Sequence, residues 1–511
     1  VLFNSPLYGV FLVACLVVFW ALKKAHLPRA IFLVVASYGF YFYGTLDVAR
    51  EQRPPLGPVA WSALCLGVIF VGSSLDFFVG RALGNETRPR ARKALLLASI
   101  VYYLGVLSTF KYFNFAVDSF TDAARAVGMN VSRVHLRVVL PFGISFFTFE
   151  TMSYTIDVYR REIEPAKRYV DYLLFVAFFP HLVAGPIVRP KDMLPQLAAP
   201  PRFDDAEQGE GLWLIATGLA KKIVIGDFLA QNLVKRVFDN PERFSSIEVL
   251  VAVYAYAIEI YADFSGYTDV ALGSAHLFGY RLPQNFDKPY VAQNLQDFWH
   301  RWHVSLSTWL RDYLYIPLGG SKRGSLLTYR NLMITMVLGG LWHGASWNFV
   351  IWGALHGLAL AGTRVFQRWR AARAARPESP EGESAPLPSR RGKTAAPGGP
   401  WPLRALSVFC TFQYVCFAWI FFRAPTLAHA KLVLARVAAG NAGTANLSTR
   451  VIVVMVVAFA LHAVPRDAIA RVRAVFVRAP AVAQGVALAA VAVGLHLVAG
   501  AKAEPFVYGQ F

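Results

Sequence analysis

The sequence predicts an all-α, polytopic membrane protein, and three observations carry that prediction. Hydrophobic residues make up 56% of the 511-residue chain and mean hydropathy is +0.42, too apolar for an ordinary soluble protein. Apolar runs of roughly twenty residues, the length a helix needs to cross a bilayer, begin near Pro6, Leu27, Leu56 and Ala94 and recur to the C-terminus. The basic residues, in excess to a formal net charge of +20, lie between these runs rather than along one soluble face. They read as topology signals, so no nucleic acid is expected as a partner. The prediction is one membrane domain over 1–511, with about eleven transmembrane helices plus interfacial and re-entrant helices.

The first run, Leu7 to Leu22, is followed by Lys23 and Lys24, whereas a cleavable signal carries its charges in front; a retained helix is expected. Those lysines, then Arg81 with Arg88, Arg90, Arg92 and Lys93, then Arg160, Arg161, Lys167 and Arg168, fall on alternate loops. The positive-inside rule makes that side cytoplasmic and puts the N-terminus outside. Up to about residue 117 the chain reads as four apolar helices. Asp76 and Lys111 sit near the ends of runs, where snorkelling or a local partner accounts for each. Cys15, Cys65, Cys410 and Cys416 lie in apolar runs without metal spacing and read as buried small hydrophobes.

From Val138 to Tyr159, Pro141 and Gly143 predict a kinked helix, and Glu150 is expected to bond inward to neighbouring Ser, Thr or Tyr groups. FFPHLVAGPIVRP, Phe178 to Pro190, has too many Pro and Gly residues for one straight helix, so a bent or re-entrant segment with His181 near its turn is expected. Between Tyr261 and Pro289 a polar group, Asp263, Ser265, Tyr267, Thr268 and Asp269, surrounds Gly266. Two readings stay open: a cavity lining for a polar head group, or a helix break whose acids cap freed N–H groups. From Asp297 to Gly320, Phe298, Trp302, Leu306, Trp309 and Tyr313 form an aromatic stripe, with His303, Ser307 and Arg311 on another side, as in an interfacial helix. His300 and His303 share a face with Asp297, but no thiolate or second cluster supports them, and no metal is expected.

LGGLWHGASWNFVIWGALHG, Leu338 to Gly357, places His343 beside glycines at membrane depth, where a titratable side chain is a functional candidate. Arg368 to Arg404, rich in Pro, Ser, Gly, Arg and Glu, reads as a disordered basic cytoplasmic loop suited to anionic lipid head groups. Apolar spans resume near Leu403, Val451 and Ala481, and the chain ends in PFVYGQF.

The order ADFSGYTDVALG, then NFDKPYVAQNLQDFWHRWHVSLSTWLRDYLYIPLGG, then LGGLWHGASWNFVIWGALHG resembles the membrane-bound O-acyltransferase family, in particular its bacterial alginate O-acetyltransferase (AlgI-like) branch. FFPHLVAGPIVRP and PFVYGQF resemble that branch too, so the similarity covers nearly all of the chain; the 368–404 stretch is longer and more basic than the family's usual loop. The resemblance implies helices around a central tunnel in a bacterial inner membrane. It implies an acetyl group passed from a cytoplasmic thioester donor, acetyl-CoA, for O-acetylation of an exported polysaccharide, with no permanently bound cofactor. It also implies a separate periplasmic esterase-like protein that completes the transfer. The family's near-invariant His matches His343, and a second position, His or Asn, matches His303.

Acyl transfer from a thioester to an alcohol needs a base for the hydroxyl proton and stabilisation of the oxyanion. Imidazole, with an intrinsic pKa of about 6.5, suits the first task. His343 is the candidate base, and His303 would donate to the oxyanion or orient the acceptor. Asp263, Ser265, Tyr267, Asp269, Trp342 and Arg311 are candidates for the substrate tunnel. His356 would stand about 20 Å from His343 on a continuous helix, too far for one reacting centre. His181, His276 and His300 read as structural, and Trp342, Trp347 and Trp352 as packing and interface anchors. No Ser lies in a nucleophile elbow. The alternatives are D-alanyl transfer toward teichoic acid and a transporter or flippase for a lipid-linked sugar that uses the 263–269 residues as its path.

Overall fold

The computed structural model describes residues 3, 5–136, 139–141, 143–182, 185–322, 324–374 and 400–498. All regular structure among them is helical. Among the described residues, six segments are long and apolar enough to cross a bilayer: His26–Gln52, Pro58–Asn85, Pro89–Ala126, Trp347–Arg373, Trp401–Arg423 and Ala481–Val498. A seventh, Thr449–Ala463 with Arg466–Arg478, is bent by 93°, and the apolar Pro6–Ala21 helix is shorter, at 16 residues.

These segments fall short of eleven because helices in the middle of the chain are too short or too polar to qualify. The Ser246–Leu277 helix shows why. Its 32 residues reach about 48 Å, ample for a crossing, yet it carries Glu259, Asp263 and Asp269. Protein surrounds it on nearly every face, so these acids are kept from lipid, and Asp263 and Asp269 pair with Lys222 and Lys221. The helix opens on a capping box in which Ser245 and Glu248 satisfy each other's backbone N–H groups. It packs on the Asp205–Ala220 helix through glycines: a Cβ at Gly218 would stand 2.6 Å from the Gly266 carbonyl, and one at Gly273 would overlap the carbonyl of Gly211. Removing the side chains lets the two backbones touch, as in close-packed membrane helices.

Local expectations fare unevenly. The helix expected over 138–159 is regular from Ile144 to Arg160, opening after Gly143 at φ 70°; Val138 and Phe142 lie outside the described residues. The segment from Phe178 does break, into a short Phe179–Leu182 helix containing His181 and a non-helical run over 185–189 before the Pro190–Ala198 helix; Val183 and Ala184 lie outside the described residues. Glu150 is buried, but its partners are not Ser, Thr or Tyr: its Oε1 accepts the Val188 N–H at 2.9 Å and lies 3.2 Å from His181 Nδ1. The single interfacial helix over 297–320 is corrected to three pieces: Leu295–Arg301, Val304–Leu310 and a π-helical turn, Arg311–Tyr315. The break falls at Trp302 and His303, where His303 takes the left-handed conformation, φ 43°. Helix also extends through Ala374, where the RAARA run of 370–374 favours it, and resumes at Trp401, so both ends of the stretch read as a loop are helical. Residues 375–399, and the terminal PFVYGQF, lie outside the described residues.

Candidate functional site

The Ser325–His343 helix ends at His343, and the chain turns back through Gly344, which is extended, into the Trp347–Ala374 helix. The two helices form a tight hairpin. A Cβ at Gly340 would overlap the Phe349 carbonyl, and one at Gly353 the Met336 carbonyl. A Cβ at Gly344 would overlap the Phe349 ring. The glycines of this run therefore do two jobs: Gly344 makes the turn and Gly340 and Gly353 bring the returning helix into backbone contact.

His343 is buried in aromatic rings: Trp342 at 4.9 Å, Trp352 at 5.1 Å and Phe422 at 5.2 Å between centroids. The helix end that carries it is capped from outside. The last carbonyls of a helix lack intrahelical donors. Here the Tyr112 hydroxyl donates to the Leu341 carbonyl at 2.9 Å, and Lys111 Nζ donates to the carbonyls of Trp342 at 2.7 Å and His343 at 3.1 Å. Lys111 and Tyr112 lie in a π-helical turn, Ser108–Tyr112, of the Pro89–Ala126 span, and its wider winding helps set adjacent side chains toward one target.

His303 is fully buried, and its unusual backbone is held by Asn285. The Asn285 carbonyl accepts the Val304 N–H at 2.9 Å, while its side-chain Oδ1 accepts the Ser305 N–H at 3.2 Å and the Ser305 hydroxyl at 2.9 Å. Because Oδ1 is fixed as an acceptor by the Ser305 N–H, His303 Nδ1, 3.1 Å away, is the protonated nitrogen of the neutral ring. Its Nε2 then carries the lone pair. The ring packs edge-on to Phe264 at 4.7 Å and lies 6.0 Å from Trp342. Trp342 thus touches both histidines. It is itself held by its Nε1, which donates to the Ser145 carbonyl at 3.2 Å, and by Phe149, stacked at 5.4 Å.

The remaining sequence candidates divide. Asp263 and Asp227 both pair with Lys222, Asp269 pairs with Lys221, and Tyr267 lies beneath the Lys222 ammonium at 5.4 Å. Ser265 is buried on the same helix. This group is an ion-pair network between the Ser246–Leu277 helix and the π-helical Lys221–Asp227 segment, and the residue that reaches His303 is their apolar neighbour Phe264. Arg311 is 58% exposed and pairs with Asp312, so it does not join the histidines. Asp297 pairs with Arg301, and His300 is exposed.

His356 requires a correction. The helix is not continuous from His343: the hairpin packs Trp352 on His343 at 5.1 Å, and His356, one turn further along the returning helix, lies 4.7 Å from that same indole. It accepts from Trp299 Nε1 at 3.3 Å through Nδ1. Lys111, Asn285 and Phe264 were missed as site residues. Lys111 carried a signal, a lysine in an apolar run; Asn285 and Phe264 carried none.

Fold and site define a multi-pass membrane protein with two buried histidines sharing one indole. Residues 97–378, which include both, match MBOAT, the membrane-bound O-acyltransferase family. The chain is 38% identical to a probable alginate O-acetylase AlgI of Pseudomonas aeruginosa, over 78% of this chain and 68% of that protein. It is 33% identical to a peptidoglycan O-acetyltransferase of Helicobacter pylori, over 85% of this chain and 79% of that one. With a teichoic acid D-alanyltransferase of Streptococcus thermophilus the identity is 28%, over 55% of this chain and 67% of the relative. Matches to further alginate O-acetylases cover 60 to 66% of those proteins. The chain belongs to the membrane-bound O-acyltransferase family and is an acyltransferase by class.

Proposed function

We propose that the protein transfers an acetyl group from acetyl-CoA, on the cytoplasmic side of a bacterial inner membrane, toward a hydroxyl of an exported polysaccharide, with a periplasmic esterase-like protein completing the transfer. The observation that carries this reading is the shared indole: His343 and His303 come from different elements and meet at Trp342, deep among aromatic rings. In the transfer, His343 takes the proton of the attacking hydroxyl as its oxygen bonds to the thioester carbon. The C–S bond then breaks, and the proton passes from the imidazole to the departing thiolate. His303, with its proton committed to Asn285, presents a lone pair. That favours orienting the acceptor hydroxyl over donating to the oxyanion.

The test is transfer from labelled acetyl-CoA by membranes containing wild type, His343→Ala or His303→Ala at matched protein levels, with acetyl content of the exported polymer as second readout. The expected loss for His343→Ala is about 10²- to 10⁴-fold in rate. Normal acetylation by that variant would overturn the assignment. Label transfer from a D-alanyl carrier-protein thioester instead would move the reading to D-alanylation, as the Streptococcus thermophilus relative's name suggests. The transport reading is weakened by the lysines that already neutralise Asp263 and Asp269.

A further inference from the structure

A cavity of about 620 Å³ opens where the Pro6–Ala21 and His26–Gln52 helices join, and its lining shares no residue with the histidine site. Lys23, Lys24, His26, Arg29 and Arg168 form its polar lining, and Trp20 and Phe203, edge to face at 5.1 Å, form an aromatic wall. Among the described residues, Lys23, Lys24 and Arg29 have no carboxylate within ion-pair distance. Asp171 reaches the lining, but it lies 2.8 Å from His26 Nε2 and 3.9 Å from Arg168.

Arg29 is the telling member. It is 2% exposed, and its guanidinium meets the Lys23 carbonyl at 2.9 Å, His26 Nδ1 at 3.3 Å and the Ala199 carbonyl at 3.5 Å, with no carboxylate among these partners. A buried charge is costly unless an opposite charge joins it. Arg29 also sits in the first turn of a 27-residue helix that has no acid there, where the helix dipole is already positive. Four permanent cations and a helix N-terminus thus converge on one concave space, an arrangement that an anion completes.

Its level in the membrane narrows the ligand. Val13 and Val17 on one helix are 61% and 67% exposed, and Ile31 and Val35 on the next are 48% and 64% exposed, which makes these faces lipid-facing. The cavity lies at the end of that hairpin, beside a tryptophan, at head-group depth.

We infer that this cavity binds a phosphate ester, with Lys23, Lys24, Arg29 and Arg168 as the anion-binding groups. Two sources supply that chemistry. One is the head group of an anionic phospholipid, whose chains would follow the exposed faces of the two helices. The other is a soluble nucleotide phosphate such as the coenzyme A portion of the donor; this source alone rests on the acetyl-CoA reading.

The full-length protein in phosphatidylcholine nanodiscs is titrated with phosphatidylglycerol in one arm and with adenosine 3′,5′-bisphosphate in the other, so that binding is read without acetyl transfer. Lys23→Gln, Lys24→Gln and Arg168→Gln are combined, leaving buried Arg29 in place; the arginine-for-lysine pair Lys23→Arg and Lys24→Arg preserves charge, and the exposed Lys431→Gln is a distant control. At about fivefold per basic group, the triple variant should bind on the order of a hundredfold more weakly than wild type. The charge-preserving and distant variants should bind as wild type. Saturable, triple-sensitive binding of the lipid assigns a head-group site, and the same behaviour of the bisphosphate assigns a nucleotide site. Equal affinity of wild type and triple variant for both probes, or binding of neither, overturns the inference.

Discussion

Replacing Lys111 by Met should uncouple the helix end that carries His343 from the rest of the protein. The amine donates to two successive carbonyls, those of Trp342 and His343, at 2.7 and 3.1 Å, and Met fills similar volume while donating nothing. Each bond lost costs about 1 kcal/mol net, and each carbonyl stranded away from water adds about 1 kcal/mol, so the loss of both should cost about 4 kcal/mol. Part of that appears as lost stability. The rest appears as displacement of His343, for which a shift of about 1 Å costs about 10²-fold in rate. Tyr112→Phe removes a single hydrogen bond to the neighbouring Leu341 carbonyl and should cost about half as much. Purified protein in nanodiscs, assayed for acetyl transfer and for its thermal midpoint, measures both shares, and a positioning role predicts a fall in kcat with little change in KM. Wild-type kcat and midpoint in Lys111→Met would refute the reasoning, showing that the aromatic packing alone holds the helix end.

Asn285→Ala should release the His303 ring and its left-handed backbone, lowering kcat at least tenfold, with the pH profile of kcat altered because the nitrogen that carries the proton is no longer fixed. Lys222→Met should destabilise the protein by about 3–5 kcal/mol, because it strands Asp227 and Asp263 as buried charges, and adding Asp263→Asn should recover part of the thermal midpoint. Gly353→Ala should open the helix hairpin at the Met336 carbonyl and cost about 1–3 kcal/mol, whereas alanine at Gly362, which meets open space, should be silent in the same unfolding assay.

His343 in an apolar, glycine-rich run was legible because charge and backbone breaks are expensive in lipid, so each one marks a site worth testing. The same expense made the helical class and the apolar outer spans readable. It could not give the partners of a polar residue, which are distant in sequence. Asp263 and Asp269 read equally well as cavity lining or caps until Lys222 and Lys221 were found across from them. Lys111 read as snorkelling because its acceptors lie more than two hundred residues away.

Periodicity failed where the backbone leaves the helix. An aromatic stripe over 297–320 continues through the break at Trp302 and His303, since the stripe records what is buried and not the φ of one residue. His356 was misjudged for the related reason that a straight helix was assumed where Gly344 turns the chain. The sequence by itself determined the membrane class, the family resemblance and the two histidines worth testing, because hydrophobicity and residue chemistry are local properties. Only the tertiary structure decided that both histidines meet at Trp342, that Asn285 fixes which nitrogen of His303 bears the proton, and that Lys111 caps the helix of His343. Those are properties of approach between remote segments, set by which helices the glycines allow to touch.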